Sequence, residues 1–425
     1  MVFGLIGSDG GGLLTQLYRV AMILSFLVFP VLIVFGPRLM IWRITKRVDA
    51  ALLNLEAFRN DTESYFLEKL KPEMSDSFKE KFRSMKNFQV SQPANIDPAG
   101  MVSRLENVLD ASEDKFNRFV ERNAETEDDE ELANLNMAFK GVMGTQQIFK
   151  VMRHYRELIS KTGNIQLISI AQMMIPIYKE IAEAQKDATR AFVDQAPTGD
   201  GIGPLVAAKL IEEHSGEISE DIMHSEEEIE GNPVHVIKSK GPGARLGKYG
   251  DAIEKLAEEH QLNAIITVDA ASKFEGEETG TVNEGVGVMM GGPGVEKTKI
   301  EEKAVEVDVP LEGIVIKQSP PEASKPMKKE IYEAREKAEN KVREIINEYN
   351  GRVAVVGVGN TCGIPNRKEE IPDLEEKLEK YWKEYEEQEE DEVSHMGLMS
   401  AIPGAATSNN KLKETANQLL WNIPR

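Results

Sequence analysis

The sequence predicts an N-terminal transmembrane helix, then an α-helical region, then an α/β domain with a mostly parallel sheet. Three observations predict this order. Val20–Pro37 carries no charge, residues 45–195 repeat apolar positions at helical spacing, and strand-like apolar runs alternate with helical patterns after residue 196. The expected divisions are 1–44 (N-terminal segment with a span at about 20–41), 45–195 (helical), 196–367 (α/β) and 368–425 (charged helix and flexible tail).

The first element rests on length and hydropathy. VAMILSFLVFPVLIVFGP is followed by the mostly apolar LMIWRI, and a bilayer core needs about 20 such residues in a helix. Trp42 stands where an interfacial aromatic would. Arg38, Arg43, Lys46 and Arg47 follow the run, whereas only Arg19 and the amino terminus precede it, offset by Asp9. The positive-inside rule then expects a single-pass protein of the cell membrane, with the N-terminus outside, the C-terminal domains cytoplasmic and the lipid bilayer as a partner. A cleaved signal peptide is the weaker reading, because a basic n-region and an A-x-A-like site are both missing.

In the helical region, Val48, Leu52, Leu55 and Phe58 recur at spacings of three and four. SQPANIDPAG (91–100) reads as a loop, and a helix is expected from Met101 to Arg122. From Leu132 to about Ala191 the pattern is helical, broken at Gly144 and at 162–164. The uncharged stretch Thr162–Tyr178 reads as a buried helix rather than a second membrane pass. Met137, Met143, Met152, Met173 and Met174 read as core filling.

In the third part the expected strands are 234–239, 264–270, 311–318 and 352–359, with 286–290 open between strand and loop. The four runs are nearly all apolar, as strands covered on both faces are, which points to a Rossmann-like parallel sheet. A charged helix is expected from about 368, before an uncharged Gly/Ala/Met stretch at 394–410.

Composition narrows the function. The 425 residues are 41% hydrophobic, enough for real cores. Seventy-two acids against 51 bases give a net charge of -21, which argues against nucleic acid as a partner because phosphates would be repelled. Cys362 is the single cysteine, so an internal disulfide and a cysteine-based zinc site are both excluded.

Glycines gather at three strand ends: Gly241, Gly243 and Gly247 with Arg245 and Lys248; Gly291, Gly292 and Gly294; and Gly357 and Gly359 with Asn360 and Thr361. Ligands of open α/β sheets bind at the carboxyl ends of strands, where glycine lets backbone N–H groups approach an anion. These residues are therefore the expected ligand-binding set for a nucleotide or other phosphate-bearing molecule, with Arg245 and Lys248 as charge partners. The plainer alternative is tight turns without a ligand.

Stricter motifs fail. GPGARLGKY would place Pro242 at the first P-loop glycine and Tyr249 at the magnesium-binding hydroxyl. GVGNTCG places Cys362 where the dinucleotide fingerprint needs glycine or alanine. PTGDGIGPLVA (197–207) departs from the β-decarboxylating dehydrogenases at Leu205, where those enzymes continue with glutamate. Asp269, Glu275, Glu277, Glu278 and Glu284 could offer oxygens to a hard cation, but EF-hand spacing is missing and no metal is expected. Cys362 reads as a buried, incidental cysteine and His235 as a structural strand residue. No catalytic residue and no cofactor is named by the residues.

PTGDGIGPLVA, KGPGARLGKYGDA, VDAASKFEGEETG, EGVGVMMGGPGVEK, LEGIVIKQS and VGVGNTCGI, behind an apolar N-terminal run, resemble a family of uncharacterised archaeal membrane-anchored proteins with a domain of unknown function. The resemblance reaches about residue 370 and implies an archaeal source and one N-terminal span, but no activity. The tail from about 393 lies outside it. Two functions stand as expectations: a membrane-tethered binder of a phosphate-bearing ligand, enzymatic or not, and a non-enzymatic scaffold whose helical region assembles with itself or a protein partner.

Overall fold

The computed structural model describes residues 13–91, 93, 100–212 and 216–400; the side chains of 13–17, 27–34, 37–38, 40, 165 and 388–400 lie outside that description. The tail beyond 400 and most of the loop expected at 91–100 lie outside it as well. The helices are α1 (Leu13–Leu70), α2 (Asp76–Met85), α3 (Met101–Glu121), α4 (Asp129–Thr162), α5 (Ile165–Val193), α6 (Ile202–Leu210), α7 (Tyr249–Glu259), α8 (Val295–Glu306), α9 (Pro320–Ser324), α10 (Lys329–Glu348) and α11 (Ile371–Ser400). The strands are β1 (Gly216–Ser219), β2 (Ile222–Ile229), β3 (Asn232–Ser239), β4 (Leu262–Ser272), β5 (Val282–Val286), β6 (Leu311–Gln318) and β7 (Arg352–Gly357).

The expected membrane span is corrected. Among the described residues no helix is long and apolar enough to cross a membrane. Val20–Pro37 is not an element of its own; it is an early part of the 58-residue α1, which continues into the charge-rich sequence after Lys46. The single-pass placement in the cell membrane, and with it the bilayer as partner, loses its support.

Two compact units form. The first comprises the described residues of Met1–Ser64 together with Val142–Lys186. Its core packs Val48, Leu55, Met152, Ile159, Ile168 and Ala171. Met152 fills this core as expected, but Met173 is 63% exposed, and Ile170, Ile177 and Ile181 are exposed beside it on α5. The stretch read as a buried helix is therefore buried on one face only.

The second unit comprises Tyr65–Gly141 and the described residues from Asp187 onward. Its helical part is held by phenylalanines. Ser75 caps α2 by accepting the Phe78 N–H at 3.1 Å, which sets Phe78 and Phe82 on the buried face. Phe66, Phe82, Phe116 and Phe119 then surround Phe139, with ring centroids 5.0–6.2 Å from it.

The remainder is a seven-stranded sheet in the order β1-β2-β3-β7-β4-β6-β5. Strands β3, β7, β4 and β6 run parallel, while β1, β2 and β5 pair antiparallel. Three parallel and three antiparallel pairings make the sheet mixed, which corrects the expected mostly parallel, Rossmann-like sheet. The four expected strands are the parallel ones. Their alternate residues feed two cores, as a period of two requires. Ala264, Ile266, Val353 and Val355 face Leu205, Ile331, Val342 and Leu374, from α6, α10 and α11. Ile265, Ala354 and Val356 face Ile253 and Leu256 of α7 and Ile300 of α8.

Candidate functional site

The parallel register fixes which strand ends are neighbours. Lys238 on β3 and Val268 on β4 both pair with Gly357 on β7, so the chain leaves these strands at one carboxyl edge. The segments that follow β3 and β7 fold directly onto each other. Gly363 N–H donates to Pro242 O at 2.8 Å. The Thr361 hydroxyl lies 2.7 Å from Gly243 O and 2.9 Å from Lys240 O, and it receives the Arg245 N–H at 3.3 Å. The Asn366 side chain brackets Gly241, accepting its N–H at 2.9 Å and donating to its carbonyl at 2.7 Å. A Cβ on Gly241 would fall onto Ile364 O, so glycine is required by this close approach.

Gly241, Gly243, Arg245 and Lys248 are thus brought together with Gly357, Gly359, Asn360 and Thr361. The contact is closed by side chains rather than left as a cleft: Asn360 is 5% exposed, and Thr361, Cys362 and Ile364 are fully buried. Gly247 turns aside, packed against Ile222. The third loop is tied to β4 by Met289, whose N–H donates to Thr267 Oγ1 at 2.8 Å, and by Gly291, whose N–H donates to Asp269 Oδ2 at 3.1 Å. Gly292 and Gly294 have no atom within 4 Å of where a Cβ would stand, so their freedom serves positive φ rather than close approach.

The loop after β3 holds an anion, and the anion is internal. Gly243 N–H and Arg245 Nη1 each lie 2.5 Å from Glu130 Oε2 of α4. Ala244 N–H donates to Asn134 Oδ1 at 2.9 Å. Arg245 also pairs with Asp221 at 3.2 Å, and Lys248 reaches Asp110 of α3 at 2.7 Å. Both expected cations are therefore engaged by the protein's own carboxylates.

Residues 198–365 match the family model described as "Domain of unknown function (DUF1512) C-terminal", and 22–195 match "Protein of unknown function (DUF1512) N-terminal domain". The chain belongs to the DUF1512 family. No curated protein and no solved structure matches it. The DUF1512 C-terminal match opens at Thr198, which bridges to Pro326, and it closes just past the loop that follows β7.

Four groups at the carboxyl edge of the DUF1512 sheet carry further chemistry. Asp200, in the turn before α6, accepts the Asn360 N–H at 2.9 Å, and burial raises its pKa. Burial raises Asp269 still more clearly, and the charge of Asp200 adds to the effect. Both carboxyls therefore keep their protons to a higher pH than an exposed carboxylate does. Lys238 is fully buried, donating to Ser239 O and Asn366 Oδ1 at 2.8 Å each, and burial pushes it down to about 7. Gln318 is 2% exposed, and neither end of its amide has a partner among the described residues. Sequence reasoning marked Asp269 only as a metal-type acid and passed over Asp200, Lys238, Gln318 and Glu130. The available signal was a charged or amide residue closing an apolar strand, as Lys238 and Gln318 do.

The other acids grouped with Asp269 lie elsewhere. Glu277 accepts the Phe274 N–H at 2.6 Å, and Glu284 pairs with Lys341 at 3.2 Å. Cys362 is fully buried with its thiol pushed up by desolvation, so it is no nucleophile.

Proposed function

We propose that the C-terminal DUF1512 domain is an anion receptor for a phosphate-bearing small molecule. The ligand would engage the 241–248 loop, with Gly241, Gly243, Arg245 and Lys248 as its contacts and 357–361 as the wall behind them. The observation that carries this reading is the Glu130 carboxylate, bound at once by a glycine N–H and a guanidinium, which is the donor set a phosphate oxygen takes. Glu130 then acts as an internal competitor that a stronger anion displaces. α7 begins directly after Lys248, and its N-terminal dipole adds to the attraction.

Calorimetry on the full chain tests it with inorganic pyrophosphate and ATP, each with and without magnesium. Glu130→Ala is expected to bind at least about tenfold more tightly than the wild type, the size of a typical coupling between competing groups. Arg245→Ala is expected to lose measurable binding. Circular dichroism checks folding, and Glu130→Gln replaces the alanine variant if that one is unfolded. No heat from the wild type or from a folded Glu130 variant would remove the proposal.

A further inference from the structure

The amino-terminal edge of the same sheet carries a second cluster, remote from the glycine loops. β2 runs antiparallel to β3 with Glu226 opposite His235, so the two share a face, and His224 lies two residues before Glu226 on that face. α7 covers this face with Ile253 and Leu256, and His260 follows its last turn. His235 and His260 therefore converge on one carboxylate, with His224 beside His235.

The donor atoms lie close together. His224 Nε2 is 2.9 Å from His235 Nδ1, Glu226 Oε1 is 3.5 Å from His235 Nδ1, and Glu226 Oε1 is 3.7 Å from His260 Nε2. The donor atoms of Glu226, His235 and His260 all lie within 4.8 Å of one another. Ligands about 2.0–2.1 Å from a tetrahedral zinc ion stand on the order of 3.4 Å apart, so small side-chain rotations bring this set onto one centre.

A second observation separates this cluster from a satisfied polar core. His235 is 1% exposed, and its Nε2 has no hydrogen-bond partner among the described residues. A buried imidazole held only by two other imidazole rings and one carboxylate is incompletely compensated.

We infer that His235, His260 and Glu226 form a binding site for a first-row divalent metal ion of the zinc type, with His224 hydrogen-bonded to His235 at its side. Two imidazoles and one carboxylate, with a fourth position open to water, suit such an ion better than magnesium or calcium, which prefer all-oxygen shells. The ion would tie the β2–β3 hairpin to the corner where α7 passes into β4. Glu226 also borders a cavity of about 440 Å³, with Glu227, Glu228, His235 and Arg352 in its wall, which gives solvent a path to the ion. His235, expected as a purely structural strand residue, is its central ligand.

Cobalt(II) is the probe, added to full-length protein first stripped with a chelator. The wild type is expected to take up one equivalent and to develop the intense visible absorption of tetrahedral cobalt. His260→Ala and Glu226→Gln, both partly solvent-accessible positions, are expected to weaken binding by at least about tenfold, the low end for a disturbed metal shell. Zinc should raise the melting temperature of the wild type and not of His260→Ala. Glu277→Gln, on a surface acid outside the cluster, should leave every readout unchanged. The inference is overturned by no uptake, by uptake with only the pale spectrum of octahedral cobalt, or by equal affinity in wild type and both variants.

Discussion

Asp269 is held against its own ionisation. Its oxygens accept N–H groups from Ala270 at 2.6 Å and Gly291 at 3.1 Å, yet burial and the neighbouring Asp200 keep its pKa well above the usual carboxylate range. The folded chain therefore holds this proton to a higher pH than the unfolded chain does. Its contribution is neutral below about pH 4 and grows unfavourable as pH rises from there toward the folded pKa. Asp269→Asn removes that pH dependence while leaving one N–H without an acceptor, a constant cost on the order of 1 kcal/mol. Relative to wild type, the variant should thus gain between pH 4 and pH 8, by about 2–4 °C in melting temperature for each 1 kcal/mol. A parallel pair of melting curves across that range would show the carboxyl is not strained. Buried acids with raised pKa values cluster at functional sites, and sequence alone showed Asp269 only as one acid among several nearby.

Among elements, α6 is the one most tightly fitted. Its Gly203 comes so close to the sheet that a Cβ would fall onto Val358 O and Val268 O. Gly203→Ala should cost about 1–3 kcal/mol or more, read from the urea midpoint, because Val268 O is held within β4 and Val358, just past β7, is bonded to it through its own N–H. Gly291→Ala meets nothing within 4 Å and should stay within about 0.5 kcal/mol of wild type. A neutral Gly203→Ala would mean that α6 is loosely seated. The strands divide by how readily the sequence discloses them. β3, β4, β6 and β7 are apolar on successive residues because helices cover both faces, so the run itself announces them. β2, with IMHSEEEI, is partly open to solvent and reads as a charge run; β5, with VNEGV, is mostly open and interrupted by glycine. Both pair antiparallel, as does the short β1, which is why the pattern suggested too parallel a sheet.

For the molecule as a whole, sequence patterning located the α/β part but not what closes over it. Residues 65–141 fall within the DUF1512 N-terminal match, yet they belong to the same compact unit as the sheet. Contacts such as Glu130 with Gly243 and Asp110 with Lys248 join residues more than a hundred positions apart, and no local periodicity encodes them. The acidic run 125–132 has the composition of a solvated segment, yet one of its members, Glu130, is the anion seated in the glycine loop. Some of the 72 acids are therefore an internal matter, spent on the chain's own cations, and the -21 is the surplus beyond all such pairs.

The sealed position of Cys362 has a practical result. It is the sole thiol, 0% exposed, behind the segment that joins β7 to the rest of the unit. A maleimide reagent should find nothing to modify until the whole α/β unit opens, so labelling becomes a stopwatch for rare unfolding events, readable by mass alone. Without denaturant the mass should hold for hours, and the alkylation rate should climb with urea along the same slope as global unfolding. Complete modification within minutes in plain buffer would reveal a breathing motion beside the β7 turn that the packing gives no reason to expect.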